Sequence, residues 1–369
     1  MESKQDCFAR YIQILQEELR PAMGCTEPIA IAYAAAKARD VLGCLPDRML
    51  VEVSGNIIKN VKSVIIPHTG GLRGIAAAAA VGAVAGDAAA ELAVISQVTP
   101  KKVAETAQYL QMTPIDVRCA ENGHVFDIAI TAWQGENNAY VRIADYHTNI
   151  VSIHRNGETL LEKTAETQED GLTDRRCLSV EGIVEFADHV ELNAIKTTLE
   201  RQIECNMAIA AEGLRGNYGA NIGKTLLKNH EDNIDYKMRA WAAAGSDARM
   251  NGCELPVVIN SGSGNQGITA SVPVIVYARE NGNSHEELLR ALCVSNLVTI
   301  HLKTGIGRLS AYCGAVSAGV GAGAGIAYLK GGRFEQIAHT VVNAVAVTSG
   351  IICDGAKASC AAKIAAAVD

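Results

Sequence analysis

The chain has 369 residues, enough for two hydrophobic cores, since single cores stop growing at about 250–300 residues. Half of it (49%) is hydrophobic but only 4% is aromatic, with 34 glycines, so the interior must be built from small side chains on closely approaching helices. A formal net charge of -7 argues against a nucleic-acid partner, whose binding surfaces are basic, yet leaves room for a small anionic substrate held at one local positive site.

In chain order, residues 8–19 and the Ala-rich 28–42 have helical spacing, and 50–53 and 61–66 read as strands. The Gly70–Gly71 pair opens a small-residue helix over 72–89, and a further helix covers 104–111. Four alternating or β-branched runs follow, 115–118, 125–130, 139–145 and 150–153, the last two joined by a hairpin turn at 146–149; they predict an antiparallel layer with helices against it. The polar stretch 155–180, with Asn-Gly and Glu-Asp-Gly turn signals, reads as a linker or surface excursion. Leu192, Ile195, Leu199 and Ile203 then mark the apolar stripe of a long helix stopping near Gly213. Residues 232–244, 285–299, 313–329, 334–348 and a segment from Ala356 predict more helices. The expected fold is therefore α+β: a mixed helix/antiparallel-sheet domain over 1–190 and an all-helical domain over 191–369.

The apolar run 75–86 is too short to cross a bilayer of ~30 Å as a helix. Residues 311–329 are long enough, but their Ala, Gly and Ser content reads as a buried helix. No charged and then apolar leader precedes the first helix, so a cytoplasmic location is expected. In that compartment eleven irregularly spaced cysteines are core filler, catalytic groups or metal ligands, not a disulfide framework.

Cys353 and Cys360 would lie roughly 10 Å apart on one uninterrupted helix. Asp354 and Gly355, however, read as cap residues. A helix starting there leaves Cys353 in the preceding turn and Cys360 about one turn inside, with both sulfurs near a helix N-terminus and Lys357 adding positive charge. A third thiolate would come from Cys313, at the start of a Gly-rich helix, or from Cys293, whose mid-helix apolar setting suits core filler. Alone, three dispersed cysteines are more often structural than ligating, and the chain has neither a ferredoxin-type run nor a C-x-x-C pair.

Cys25, in Gly24-Cys25-Thr26-Glu27-Pro28, directly precedes Thr26, a natural N-cap. A thiol beside a helix N-terminus has its pKa lowered from about 8.5 and becomes a usable base or nucleophile; the plain alternative is a small residue in a tight turn. In the loop His68-Thr69-Gly70-Gly71-Leu72-Arg73-Gly74, backbone N–H groups suit a carboxylate with Arg73 assisting, the alternative being a strand–helix turn. Gly262-Ser263-Gly264-Asn265-Gln266-Gly267 matches G-x-G-x-x-G after a strand-like run. Pro273 is expected to break the following helix, and Glu286 and Glu287 open a helix where a ribose-binding acid belongs at a strand end; dinucleotide binding is rejected. His301, Lys303 and Thr304 precede the Cys313 helix and are candidates to line a cavity. No Ser/His/Asp triad, paired-carboxylate signature, Walker A motif or compelling pyridoxal lysine is present.

Residues 24–28, the loop from Pro67 to Gly74 and the Cys353…Cys360 tail together resemble the L-cysteine desulfidase family, related to the iron–sulfur-dependent L-serine dehydratases of bacteria, over about residues 10–365. The resemblance implies a lyase converting L-cysteine to pyruvate, ammonia and sulfide by α,β-elimination. It implies a [4Fe–4S] cluster held by Cys313, Cys353 and Cys360 with one iron open, and Cys25 as proton acceptor. His68, Thr69, Gly70, Gly71 and Arg73 would bind substrate, with Asn265 and Gln266 touching it from a Gly/Asn-rich loop. Serine dehydratases carry Ser-Ser-His-Thr where this chain has Gly-Cys-Thr, which favours the desulfidase branch. An L-serine dehydratase with the same cluster and a non-catalytic iron–sulfur sensor are the alternatives. The expected partners are a small amino-acid substrate and a second copy of the chain as a homodimer, with no nucleic acid and no membrane.

Overall fold

The computed structural model describes residues 4–163, 172–307 and 309–369. Its internal contacts divide the chain into two units, one of residues 1–22, 171–354 and 358–369, the other of residues 23–170 and 355–357. The architecture is α+β, but this division differs from two contiguous halves meeting near residue 190. The first helix and residues 171–190 group with the helical unit for two reasons. Buried Arg175 pairs with Glu17 and Glu18 at 2.9 Å each, and Phe186 packs edge to face on Phe8 and Tyr11 at 5.3 and 5.4 Å.

The helical unit contains α1 (Lys4–Glu18). The helical unit also holds most of a short β1 (Pro21–Met23), and the sheet unit contains α2 (Thr26–Leu42), β2 (Arg48–Val53), α3 (Gly55–Val61), α4 (Ile75–Ala85), α5 (Pro100–Met112), β3 (Ile115–Cys119), β4 (Asp127–Gln134), β5 (Asn137–Ala144), β6 (Ile150–Arg155) and β7 (Glu158–Glu162). One six-stranded sheet runs β3-β2-β4-β5-β6-β7. Its β3 lies parallel to β2, not antiparallel as expected, because the connection between them passes through α3, α4 and α5; the other pairings are antiparallel. Register aligns Val51, Ile130, Val141 and Ile153 across four strands, and the first three are wholly buried. The Asn-Gly signal is a two-residue hairpin: Asn156 and Gly157 both take positive φ (50° and 84°), and the segment read as a linker continues as β7. Residues 164–171 of that segment lie outside the described residues.

Two further expectations need correction. Residues 61–66 are not a strand: Ser54 leads into α3, and beyond it only Ile65 forms a bridge, to Arg73. The β-branched run is buried as irregular backbone, so its apolar pattern reports burial, not pairing. The small-residue helix ends at Ala85, where α4 gives way to a short 3-10 segment, Ala88–Ala93.

The helical unit continues with α6 (Val180–His189), α7 (Lys196–Arg215), α8 (Ile222–Leu227), α9 (Ile234–Met250), β8 (Pro256–Val258), α10 (Gly264–Glu280), α11 (His285–Ile306), α12 (Gly314–Leu329), α13 (Phe334–Thr348) and α14 (Cys360–Val368). It is not entirely helical, because β8 pairs with β1. The run α10 passes through Pro273 without ending; nearly every residue after its first turn is buried, so packing outweighs the lost N–H. The small residues of α12 serve close approach: a Cβ at Gly319 would stand 2.1 Å from the Ala367 carbonyl of α14, so only glycine lets α14 dock there. Among the described residues no helix is long and apolar enough to cross a membrane.

Candidate active site

In the sheet unit Cys25 is itself the N-cap of α2, with extended backbone (φ -87°, ψ 131°), so the helix begins at Thr26, one position earlier than expected. The thiol is 3% exposed and donates to Glu27 Oε2 at 2.9 Å. The hydroxyl of Thr26 donates to the same oxygen at 3.3 Å, and Asn60 Nδ2 donates to Glu27 Oε1 at 2.9 Å. Burial of Glu27 opposes its ionisation most strongly. The His147 charge, the Cys25 thiol, its own backbone N–H and Asn60 outweigh that and hold its carboxyl below the usual carboxylate value.

Gly24 takes φ 61°, and a Cβ there would fall 2.3 Å from Pro67 Cγ. This tight contact brings the Cys25 segment against the start of the His68–Gly74 loop, although some forty residues separate them. In the loop His68, Gly70, Gly71 and Gly74 all take positive φ. Thr69 is spent on holding the turn: its hydroxyl donates to the Ile66 carbonyl at 2.7 Å and accepts from Leu72 N–H at 3.1 Å. Gly70, Gly71 and Arg73 are exposed, so this rim can meet a solute.

In the helical unit Cys313, Cys353 and Cys360 are half-buried thiols outside any disulfide. Cys313 is the N-cap of α12. Cys353 stands opposite it, because Cys313 N–H donates to the Ile351 carbonyl (3.1 Å) and Cys353 N–H to the Ala311 carbonyl (2.7 Å). Cys360 is the first residue of α14, not one turn inside a helix begun at Asp354. Gly355, at φ 100°, takes the backbone off the helical path, and Asp354 pairs with Lys363 instead of capping a helix. Lys363, one turn into α14, also donates to the Ile352 carbonyl at 3.0 Å, and its charge acts on both Cys313 and Cys360. Burial pushes the Cys313 thiol up, with Cys353 among the neighbouring charges that add to this. By contrast Cys293 is enclosed in the core, where burial pushes its thiol up to about 12.

Gln266 reaches the start of α12. It lies in the first turn of α10, and a Cβ at Gly314, the residue after Cys313, would fall 2.5 Å from its amide. Buried Gln266 Oε1 and Asn265 Oδ1 have no hydrogen-bond partner among the described residues, the condition expected where a ligand belongs. A buried amide network sets the loop before α10. Gln202 and Asn296 exchange hydrogen bonds at 3.0 and 2.8 Å, Asn260 donates to Asn296 at 3.0 Å, and Ser261 donates to Asn260 at 2.8 Å. His301, Lys303 and Thr304 end α11; burial lowers the His301 pKa, and Thr304 donates to its own helix at the Ile300 carbonyl. Asn60, His147, Gln202 and Asn296 had no local signal in the sequence, because each gains meaning only from residues far along the chain.

Comparison with known proteins shows the family of the chain. The family described as "Serine dehydratase alpha chain" matches residues 89–369. A UPF0597 protein of Desulfitobacterium hafniense is 56% identical over all of this chain and 86% of its own length. UPF0597 proteins of Lachnoclostridium phytofermentans and Treponema denticola are 51% and 49% identical, each over 98% of this chain and over 87% and 85% of their own lengths. With three quarters of its length matched, including Cys313, Cys353 and Cys360, the chain belongs to the serine dehydratase alpha chain family of lyases.

Proposed function

We propose that the chain is an iron–sulfur-dependent L-cysteine desulfidase, in which Cys25 is the proton acceptor and Cys313, Cys353 and Cys360 hold a [4Fe–4S] cluster. The observation that carries this reading is the donor set of the helical unit: thiols at the N-termini of α12 and α14 and on the segment facing Cys313, Lys363 whose charge acts on Cys313 and Cys360, and the orphaned Gln266 oxygen against Gly314. Two helix N-termini and Lys363 favour a group of net negative charge. Among the described residues no three His, Cys, Asp or Glu side chains stand close enough for a single ion. Thiolates are the donors an iron–sulfur cluster takes, so the residue types at Cys313, Cys353 and Cys360 suit that group.

When bound, the cluster supplies an open iron that acts as a Lewis acid toward the departing sulfur. The remaining chemistry belongs to the chain. Cys25 as thiolate takes the Cα proton, and that electron pair becomes the Cα=Cβ bond as the β-substituent leaves. The aminoacrylate released tautomerises to an imine and hydrolyses to pyruvate and ammonia. The Gly70–Gly71 turn and Arg73, tied to the Cys25 segment through Pro67 and Gly24, orient the carboxylate, with His68 on the same loop and Thr69 fixing its shape. The reading includes a cytoplasmic location, whose reducing poise keeps these thiols out of disulfides, and assembly as a homodimer.

L-Serine is the second reading, favoured by the description of the matching family. Anaerobic reconstitution with iron and sulfide, followed by separate assays of sulfide and pyruvate from L-cysteine and L-serine, decides. Sulfide release from L-cysteine supports the proposal, whereas pyruvate from L-serine alone makes the chain a serine dehydratase. A complete cluster with neither product leaves an iron–sulfur sensor. Cys25→Ser should keep the cluster's visible absorbance and lose at least about 100-fold in turnover.

A further inference from the structure

We propose that Glu27 positions Cys25 and receives its proton, so that the base of the reaction is a Cys25–Glu27 pair. The inference rests on Cys25 being the proton acceptor, as proposed above, and names the residue that makes it one. An acidic residue in the first turn of a helix needs no explanation when it faces water, since the helix dipole favours it there. Glu27 does not face water: it is 8% exposed, and a carboxylate so enclosed is costly unless its oxygens are engaged. They are engaged on both sides. Asn60 holds Oε1 at 2.9 Å, while Oε2 is turned to the Cys25 thiol at 2.9 Å with Thr26 at 3.3 Å. The group that places positive charge on this set is His147, in the turn between β5 and β6, its ring seated edge-on against Phe126 at 4.7 Å. Asn60, from α3, thus fixes the carboxylate by a hydrogen bond, and the His147 charge favours its ionised form. The thiol–carboxylate contact is then a held geometry, not a chance rotamer.

The proton steps balance. The Cys25 S–H bond breaks and its proton forms an O–H bond on Glu27 Oε2, an uphill step because that carboxyl is held below its usual value, so the thiolate forms only transiently, as the substrate proton is taken. The thiolate takes the substrate Cα proton, which restores the S–H bond, while the Cα–H pair becomes the Cα=Cβ bond and the leaving sulfur departs with the Cβ–S pair. The proton on Glu27 then passes to the departed hydrosulfide, which restores the carboxylate. Glu27 touches neither substrate nor leaving group while Cα is deprotonated; it acts through Cys25.

Infrared spectroscopy of the S–H stretch tests this without relying on turnover. Subtracting the spectrum of Cys25→Ser from that of the full-length wild-type protein isolates the Cys25 band. Subtracting Cys293→Ala isolates an internal reference thiol in an apolar setting. The Cys25 band should lie at lower frequency than the Cys293 band, and Glu27→Gln should move it back toward the reference. A Cys25 band coincident with that of Cys293 in the wild type overturns the proposal, whatever the folding of the Glu27 variants. In the reconstituted enzyme Glu27→Gln should lower kcat by about 100-fold or more with KM changed no more than about threefold, and Glu27→Asp should restore part of the loss. A Glu27→Gln enzyme with undiminished kcat refutes the proton-accepting role. If the wild type eliminates neither substrate while the Cys25 band is shifted as expected, the proposed reaction fails and the pairing stands.

Discussion

Replacing Asp247 by Asn should stabilise the helical unit at alkaline pH and do so progressively less as pH falls. Asp247 lies in α9 and is 1% exposed. It accepts from Gly223 N–H at 2.9 Å at the start of α8, while its Oδ1 is buried with no partner among the described residues. Burial, opposed by the N–H groups of Gly223 and Ile222, pushes its carboxyl up from 3.8 to about 6. For an acid whose pKa is raised on folding, the folded state holds the extra proton. Stability is therefore lost as pH rises through the window from 3.8 to about 6, and the full penalty is present above it. A shift of about two units corresponds to roughly 3 kcal/mol at about pH 8, and roughly half of that remains at about pH 5. Asparagine keeps an acceptor for Gly223 and removes the charge. Urea unfolding of Asp247→Asn and the parent, both carrying Trp133→Phe so that Trp241 of α9 is the sole tryptophan reporter, measures the difference at the two pH values. A stability difference that does not change with pH would refute the reasoning.

Gly82→Ala should destabilise the sheet unit by about 1–3 kcal/mol, since the added Cβ would stand 2.1 Å from the Ala32 carbonyl of α2; an unchanged melting profile would contradict it. Arg142→Ala should cost about 3–5 kcal/mol, because it strips the guanidinium held at 3.0 Å from fully buried Asp127, and denaturant unfolding reads the loss. Cys313→Ala, Cys353→Ala and Cys360→Ala should each abolish the visible absorbance of the reconstituted protein, whereas Cys293→Ala should retain it; iron and acid-labile sulfide analysis checks both. Gln202→Leu leaves one Asn296 amide N–H without a partner in the core, while Leu292 and Asn260 still engage the residue, at about 1–3 kcal/mol, and a melting temperature unaffected by it would show the amide exchange to be dispensable.

Where a pattern depends only on near neighbours, the sequence carried it. The apolar spacing of residues 334–348 coincides with α13, and the alternating runs from 115 to 153 coincide with strands of the sheet. The turn chemistry at Asn156-Gly157 was legible too, although the strand beyond it was not, because β7 is short, mostly exposed and lacks an apolar face. The same local logic failed at residues 61–66 and at Pro273, where packing against distant elements decided between conformations that the residues alone allow.

The chain by itself determined that Cys25 would stand at a helix start, that glycines would crowd the His68–Gly74 turn and that Cys313 would open a Gly-rich helix. Each follows from backbone preference within a few residues. Only the tertiary structure decided what those groups face. Glu27 meets Asn60 and His147, Pro67 fills the space above Gly24, Gln266 lies against Gly314, and Lys363 joins Cys313 to Cys360. These pairings span from a few to well over a hundred positions, and no periodicity encodes them, because contact between distant residues is a property of the packed chain.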